Sequence, residues 1–247
     1  KYMRKASNMS MEVDFSKVSE TELKEMQEAG HNVINCHRIL AKTNDNIVGE
    51  LLRDHEEFFE WDHYPDGDVY DFENHGQYYY HAHPKEERPG EHGHFHTFLR
   101  PDGMPPGATP AVVGGFAMPE DPDDALSHLV AISMDPKGFP IKLFTTNRWV
   151  TGEVWYEARD VCRFLHRFEI DLAHPSWIVN VWVTNMITLF RPQIRELIYQ
   201  RDIVVHRRKE AFPDRDVFED WEFEVVTECD VDLDAQMFAI EAALSAR

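Results

Sequence analysis

The chain has 247 residues, of which 43% are hydrophobic and 28% are charged, a globular composition that excludes an intrinsically disordered protein. Its formal net charge of −20 argues against nucleic acid and membrane surfaces as partners, because phosphate backbones and anionic lipids would repel it. The cysteines Cys36, Cys162 and Cys229 are far apart and odd in number, which argues against a disulfide framework and favours a reducing compartment.

No segment of the sequence has the pattern of a secretory signal or a membrane span. The basic residues before Ser10 are not followed by an apolar core, and the longest apolar run, Trp177–Phe190, is about 14 residues long. We therefore expect a cytoplasmic protein that forms a single domain over residues 1–247, with residues 1–10 disordered.

Helices are predicted at the start of the chain. Ser19-x-x-Glu22 is a capping-box pattern followed by apolar residues at helical spacing, so we expect an amphipathic helix over 19–42. A shorter helix is expected over about 45–60. The stretch Tyr64-Pro65-Asp66-Gly67-Asp68 is dense in turn-forming residues and predicts a turn.

The middle of the chain predicts a β-sheet. Runs rich in aromatic and β-branched residues occupy 77–83, 93–99, 127–134 and 140–150. The last two flank the turn signal Asp135-Pro-Lys-Gly138 and predict a hairpin. Residues 100–125 are dense in proline and glycine, with Gly114-Gly115 as a candidate hinge, and predict either a lid over a site or a disordered loop.

The helical period returns after Thr151. A helical stripe over 161–172 stops before His174-Pro175, and Trp177–Leu189 predicts either a helix or a buried strand, with Pro192 kinking or dividing whatever follows. Residues 205–232 predict mostly irregular chain with a strand at 221–227, and 233–245 predict a closing helix. The order of helix, sheet and helices indicates an α+β fold, an antiparallel β-sheet flanked by N- and C-terminal helices.

Histidine is the most informative residue type in this sequence. Six of the 14 histidines lie between residues 75 and 96, and four of them form the pairs His81-Ala-His83 and His94-Phe-His96. Residues i and i+2 of a strand point to the same face, so each pair presents two imidazoles side by side. Segment 84–91 between the pairs has the proline and glycine of a hairpin loop.

A hairpin that places His83 opposite His94 brings all four imidazoles to one face. Directly opposed Cβ atoms are about 4.5–5.5 Å apart, which suits rings that converge on one ion. A slip of one residue would send the pairs to opposite faces. The sequence therefore predicts a metal site in this hairpin, and the alternatives are a hydrogen-bonded core or a pH-sensing patch.

The spacing Gly76-x4-His81-x-His83-x2-Glu86-x6-Gly93 resembles the first metal motif of the cupins, with each of its first two gaps one residue short. The resemblance implies that His81, His83 and Glu86 (or Glu87) bind a metal, and that the sheet is cupin-like or a half-barrel. The second cupin motif is not recognisable, and His94, His96 or His128 stand in its place as ligand candidates. The wider stretch also resembles an uncharacterised bacterial protein family.

Imidazole and carboxylate ligands without thiolate suit Fe(II), Zn(II), Mn(II), Cu(II) or Ni(II). We favour iron, because such ligands on a β-scaffold among many aromatic residues suit a dry redox pocket, and we expect a mononuclear non-haem iron oxygenase acting on a small molecule. The alternatives are a zinc or manganese hydrolase, lyase or isomerase, with Glu86, Glu87 or Glu91 as base, and a non-enzymatic metal-binding or sensing protein.

Three further side chains are candidates around this site. Tyr79 shares the face of His81 and either orients a substrate, donates a proton or packs. Lys142 and Arg148 share a face of the later hairpin and either bind an anionic substrate or form surface ion pairs. The sequence leaves open whether the chain forms an oligomer.

Overall fold

The computed structural model describes residues 7–8 and 13–247. Its sheet contains these strands: β1 (Ser7–Asn8), β2 (Tyr64–Tyr70), β3 (Gly76–His81), β4 (Gly93–Leu99), β5 (Ser127–Met134), β6 (Pro140–Thr146) and β7 (Val225–Asp230). The spatial order is β1-β7-β6-β5-β4-β3-β2. The six strands from β2 to β7 are antiparallel to their neighbours, whereas β1 pairs parallel with β7. The sheet is not closed into a barrel.

Helices lie on both sides of this sheet. They are α1 (Glu20–Ala41), α2 (Ile47–Leu52), α3 (Arg148–Thr151), α4 (Ala158–Phe164), α5 (Trp177–Leu189), α6 (Arg191–Ala211) and α7 (Leu233–Ser245). The predicted α+β fold, an antiparallel sheet flanked by N- and C-terminal helices, is therefore confirmed.

The two faces of the sheet have different chemistry, because successive side chains of a strand alternate between them. On one face, the hydroxyl of Tyr78 donates to Asn180 Oδ1 of α5 at 2.6 Å, and Phe95 packs on Trp182 with ring centroids 5.5 Å apart. This helix-covered face belongs to the main apolar core. Tyr79 and His81 of the same β3 strand point to the opposite face, which we call the histidine face.

The predicted N-terminal helix and the central hairpin are confirmed. Ser19 caps α1, since its hydroxyl accepts a hydrogen bond from the Glu22 amide at 3.1 Å, as a capping box requires. Strands β5 and β6 join through the predicted turn, in which the Gly138 amide donates to the Asp135 carbonyl at 3.0 Å. Of residues 1–10, which we expected to be disordered, Ser7–Asn8 form a strand and the rest lie outside the described residues.

Several boundaries differ from the sequence-based expectation. Helix α2 ends at Leu52 instead of near 60, and segment 64–70, predicted as a turn, is strand β2. The turn-forming residues Gly67 and Asp68 sit in a bulge of that strand, both with positive φ, between the pairs that Tyr64 and Val69 make with β3. A bulge therefore accounts for a turn signal inside a strand.

The C-terminal half shows comparable shifts. The segment Trp177–Leu189 is a helix and not a buried strand, and Pro192 stands in the first turn of α6, so the chain divides into two helices there. Helix α4 ends at Phe164 instead of near 172. Helix α6 continues to Ala211 into the segment predicted to be irregular, and β7 lies at 225–230 instead of 221–227. Helix α7 occupies the predicted residues.

Segment 100–125 has no long element of its own but packs against the protein. It contains two short 3-10 helices, Pro101–Gly103 and Pro122–Asp124. The amide of Ala111 donates to the Trp155 carbonyl at 2.8 Å. Whether this segment acts as a lid stays a prediction.

Within the described residues, none of the helices has both the length and the apolar character that a membrane crossing demands.

Candidate metal centre

The register of the β3–β4 hairpin places the histidine pairs on one face. His81 lies opposite His94, and Tyr79 lies opposite His96. The sequence left this register open and considered His83 opposite His94; the structure differs from that pairing by two residues, with β3 ending at His81 and His83 beyond the strand. An even shift preserves the face, so the predicted convergence of imidazoles is retained.

A glycine fixes this register at the start of β4. A Cβ atom built on Gly93 would lie 2.5 Å from the carbonyl oxygen of His81 and 2.6 Å from the Tyr80 hydroxyl. Only glycine therefore permits the close approach of the two strands at this point. This contact holds His94, the next residue, opposite His81.

Three imidazoles come close enough to bind one ion. The Nε2 atoms of His81 and His94 are 2.8 Å apart, and one ligand atom each of His81, His83 and His94 lies within 4.8 Å of the others. Two nitrogens that each lie about 2.0–2.1 Å from a single ion are themselves about 3 Å apart. The separation of the two Nε2 atoms therefore fits a shared metal ion, and we call these residues the three-histidine set.

The imidazoles of His81 and His94 are held in their neutral form, which is the form that binds metals. Burial is the main cause that lowers the pKa of His81 to about 3, and it also places the pKa of His94 well below its ordinary value. Both rings are therefore neutral at physiological pH. Neutral imidazole offers a nitrogen lone pair to a cation, whereas imidazolium has none to offer.

A carboxylate orients His94. Oε1 of Glu91 lies 2.7 Å from Nδ1 of His94, and the other carboxylate oxygen, Oε2, accepts from the Ser133 hydroxyl. A proton on Nδ1 leaves the Nε2 lone pair of His94 directed at His81. Histidine ligands of metals almost always have such a carboxylate, carbonyl or water partner at their second nitrogen.

His83, the least buried residue of the set, has a similar carboxylate partner. Its Nδ1 lies 3.3 Å from Glu87 Oε2, and its ring packs against the indole of Trp61 with centroids 4.2 Å apart. Glu86, the carboxylate ligand that the cupin resemblance implies, is exposed and does not belong to the set. The three ligand candidates that the structure brings together are therefore all histidines.

His96 and His128 lie beside the set and not in it. Nδ1 of His96 is 3.0 Å from Nε2 of His128, and the His96 ring centroid is 4.8 Å from that of His94. Nε2 of His96 is buried and has no hydrogen-bond partner among the described residues. Burial lowers the pKa of His128 to about 3, so these rings add a neutral polar layer next to the candidate ligands.

Tyr79 packs within this layer, in contact with three histidine rings. His63 stacks on its ring at 3.7 Å with an interplanar angle of 8°, and its centroid lies 5.5 Å from His81 and 5.1 Å from His96. Burial raises the pKa of the Tyr79 hydroxyl. The hydroxyl therefore stays protonated, and the ring that carries it lies next to His81 of the three-histidine set.

Asp68 is one of the residues ahead of the hairpin that could supply a carboxylate to an imidazole, but the position of His63 over Tyr79 was not predicted. Nδ1 of His63 lies 3.1 Å from Asp68 Oδ1. Oδ2 of Asp68 accepts from the side-chain amide of Gln77 at 2.8 Å, and Oε1 of Gln77 accepts from Arg100 at 2.7 Å. The signal that could have located it is Gly67-Asp68, whose turn character marks the β2 bulge that aims Asp68 at His63. Non-glycine residues with positive φ, such as Asp68, concentrate at functional sites.

The two predicted anion-binding residues have carboxylate partners. Nζ of Lys142 lies 3.0 Å from Glu228, and Arg148 is paired with Glu219 and stacked on Phe116. Each positive charge is thus compensated within the chain. Their proposed role with an anionic substrate stays a prediction.

A second group of potential ligands lies at the other end of β3. It consists of His75, Asp102 and Asp123. The Tyr70 hydroxyl donates to Asp123 at 2.7 Å, and the Arg100 guanidinium lies 3.8 Å from the same carboxylate. Because a cation of the chain already compensates this group, it fits an added metal less well than the three-histidine set does.

Comparison with known proteins identifies one family. Residues 27–231 match the model of a family described as a domain of unknown function, DUF6969. No curated protein and no solved structure matches the chain. The match agrees with the predicted likeness to an uncharacterised family, and the cupin resemblance stays a prediction.

Proposed function

We propose that this chain, which belongs to the DUF6969 family, is a metal-dependent oxidoreductase of the mononuclear non-haem iron type that acts on a small molecule in the cytoplasm. The observation that carries the proposal is the convergence of His81, His83 and His94 within 4.8 Å. Three protein ligands leave positions on an ion for other molecules, as catalytic sites require.

The residues of the site would have three separate roles. The three-histidine set would hold Fe(II), which when bound supplies one-electron and oxygen chemistry. Glu91 fixes the His94 ring by its 2.7 Å contact with Nδ1 and so acts through a ligand. Tyr79, buried and protonated beside His81, is the residue that we assign to orient a substrate or donate a proton.

The surroundings favour redox over hydrolytic chemistry. Hydrolysis at a metal needs a base that takes a proton from the attacking water. The carboxylate oxygens of Glu91 contact His94 and Ser133, and Glu87 contacts His83. Because both carboxylates contact candidate ligands, they are poorly placed to take a proton from an attacking water. The arrangement therefore favours redox chemistry at the ion.

A zinc-dependent hydrolase, lyase or isomerase is the second candidate. Its support is the ligand set, since three neutral histidines with a carboxylate behind one of them are an arrangement that zinc enzymes use. Manganese, copper and nickel fit imidazole ligands as well. Metal identity therefore separates the two candidate functions.

Metal analysis of anaerobically purified protein tests the proposal. We expect about one ion per chain, and iron-loaded protein that consumes oxygen supports the oxidoreductase. Tightly bound zinc with no redox response supports the second candidate instead. The variants His83→Ala and His94→Ala should each lose most of the bound metal, because each removes one of three ligands.

His92→Ala is the matched control. His92 belongs to the same hairpin, but its Nδ1 lies 2.7 Å from the Tyr80 hydroxyl on the opposite face. This variant should keep its metal, and circular dichroism should show the same secondary structure in all three variants. Full metal occupancy in both His83→Ala and His94→Ala would refute the three-histidine set.

A further inference from the structure

An exposed tryptophan stands beside the three-histidine set. Trp61 keeps 54% of its surface accessible although its indole packs on the His83 ring at 4.2 Å. Its backbone is fixed, because the Trp61 amide donates to the Ala82 carbonyl at 2.9 Å while its φ is 74°. Indole rings supply a large, rigid contact surface at recognition sites, so a tryptophan held open to solvent next to a candidate metal ligand is a candidate recognition residue.

The segment that carries Trp61 is strongly acidic. Residues 54–84 contain nine aspartates and glutamates and no lysine or arginine. Every residue from Glu56 to His63 is exposed, and so is Glu87, which contacts His83. The rim of the three-histidine set therefore combines an open indole face with a negative potential.

Two of the cations near the set are compensated by carboxylates. Arg88 pairs with Glu224 at 2.6 Å and lies over the Phe144 ring at 4.8 Å, and Lys142 pairs with Glu228. Lys85 is exposed and lies near enough to His92 to lower the pKa of that ring, which contacts Tyr80 on the opposite face. The rim thus offers an anionic group little that would bind it.

We propose that the substrate carries an organic cation, an amine or quaternary ammonium group, which binds against Trp61 with the rim carboxylates around it. Tryptophan is the aromatic side chain that attracts cations most strongly through its ring face. Because Trp61 touches His83, a cation held there leaves the rest of the molecule free to reach the ligand set. The inference rests on the proposed function and replaces the anionic substrate considered from the sequence.

Isothermal titration calorimetry of zinc-loaded and metal-free protein tests this inference with three probes of similar size. Choline is the cation, 3,3-dimethyl-1-butanol its neutral isostere and 3,3-dimethylbutanoate the anion. We expect choline to bind about tenfold more tightly than the alcohol. In metal-free protein, where no ion can hold a carboxylate, we expect the anion to bind most weakly. Added salt should weaken choline binding, because the rim carboxylates are exposed and are therefore screened.

Two variants connect the preference to these residues. Trp61→Leu should lower the choline affinity about tenfold and leave that of the alcohol nearly unchanged, and Glu87→Gln should lower it by a smaller factor. Trp221→Leu is the matched control, since Trp221 is 78% exposed but stacks on Trp149 of α3 and not on a histidine of the set. It should not alter choline binding.

Equal affinities for choline and its neutral isostere, or an unchanged choline affinity in Trp61→Leu, would overturn this inference and leave the metal site intact. Failure of the proposed function is visible earlier, as absence of metal before any probe is added. Tighter binding of 3,3-dimethylbutanoate than of choline to metal-free protein would also overturn the inference and restore the anionic substrate.

Discussion

Glu91 is not one of the candidate ligands, but it orients the ring of one of them, His94. Its contacts with His94 Nδ1 and with the Ser133 hydroxyl use both carboxylate oxygens. The first contact selects the tautomer of His94 and the second holds the carboxylate still. Glu91 therefore acts as a positioning residue, through the orientation of the His94 ring.

Glu91→Gln should lower metal affinity about 10–100-fold, because partners at the second nitrogen of a ligand histidine have effects of this size. The amide keeps the shape of the side chain and removes the charge that stabilises the Nδ1 proton. Competition with a chelator of known affinity measures the change. Glu86→Gln is the control, since Glu86 is exposed and outside the set; equal affinities in the two variants would contradict the role of Glu91.

Among the strands, the position of Gly93 determines how β4 is placed relative to His81, and so links the β3–β4 hairpin to the metal centre. Gly93→Ala places a Cβ atom 2.5 Å from the His81 carbonyl oxygen, a contact with backbone that no side-chain rotation relieves. We expect the variant to lose about 1–3 kcal/mol of stability and most of its metal affinity, since β4 must shift relative to His81. Urea unfolding and metal content measure the two effects.

Gly114→Ala serves as the comparison for this prediction. A Cβ atom on Gly114 meets nothing within 4 Å, so stability and metal content should stay close to those of the parent protein. If Gly93→Ala behaved in the same way, the register would not depend on the glycine contact. The alternative cause would then be the pairing of the β3 and β4 side chains themselves.

Local patterns predicted those elements whose boundaries are set by local chemistry. The capping box of α1, the turn between β5 and β6 and the closing helix α7 all follow from residues within a few positions of one another. Strand β2 was missed because its Gly67-Asp68 bulge depends on pairing with β3. The identity of α5 was open for a related reason, since burial on several sides removes the period that distinguishes a helix from a strand.

The same distinction applies to the candidate site. The two His-x-His pairs predicted a shared face, because the strand period fixes it. They did not predict which histidines converge: His96 turns to His128 at 3.0 Å, a residue 32 positions away. The position of His63 over Tyr79 was not predicted either, since it depends on a bulge and on the hydrogen bonds that run from Asp68 to Arg100.

The molecule as a whole separates an apolar face from a polar one across a single sheet. Helices α5 and α6 pack on the first face, through Trp182 on Phe95 and through the Leu197 carbonyl, which accepts from the Thr227 hydroxyl at 3.0 Å. The second face keeps His81, His94 and His96 buried. Burying so many imidazoles leaves stability dependent on pH, because the unfolded chain takes up protons that the folded chain excludes.

Opposite pH dependences are expected from the buried histidines and from a buried glutamate. The pKa of His81 is lowered from 6.5 to about 3, so its contribution is complete above pH 6.5 and is lost as the pH falls toward 3. Burial raises the pKa of Glu153 from 4.5 to about 8, so its contribution is complete below pH 4.5 and is lost as the pH rises toward 8. Metal-free protein should therefore become less stable in both directions.

Glu153→Gln should remove the alkaline decline and leave the acid one. Glutamine stays neutral at every pH and its amide oxygen can replace Oε2 of Glu153, which accepts from the His128 amide at 2.7 Å. At pH 8 the variant should unfold with a free energy higher than that of the parent by up to a few kcal/mol. Urea unfolding of metal-free protein between pH 5 and 9 measures both curves, and parallel curves above pH 6.5 would show that Glu153 is ionised in the folded state.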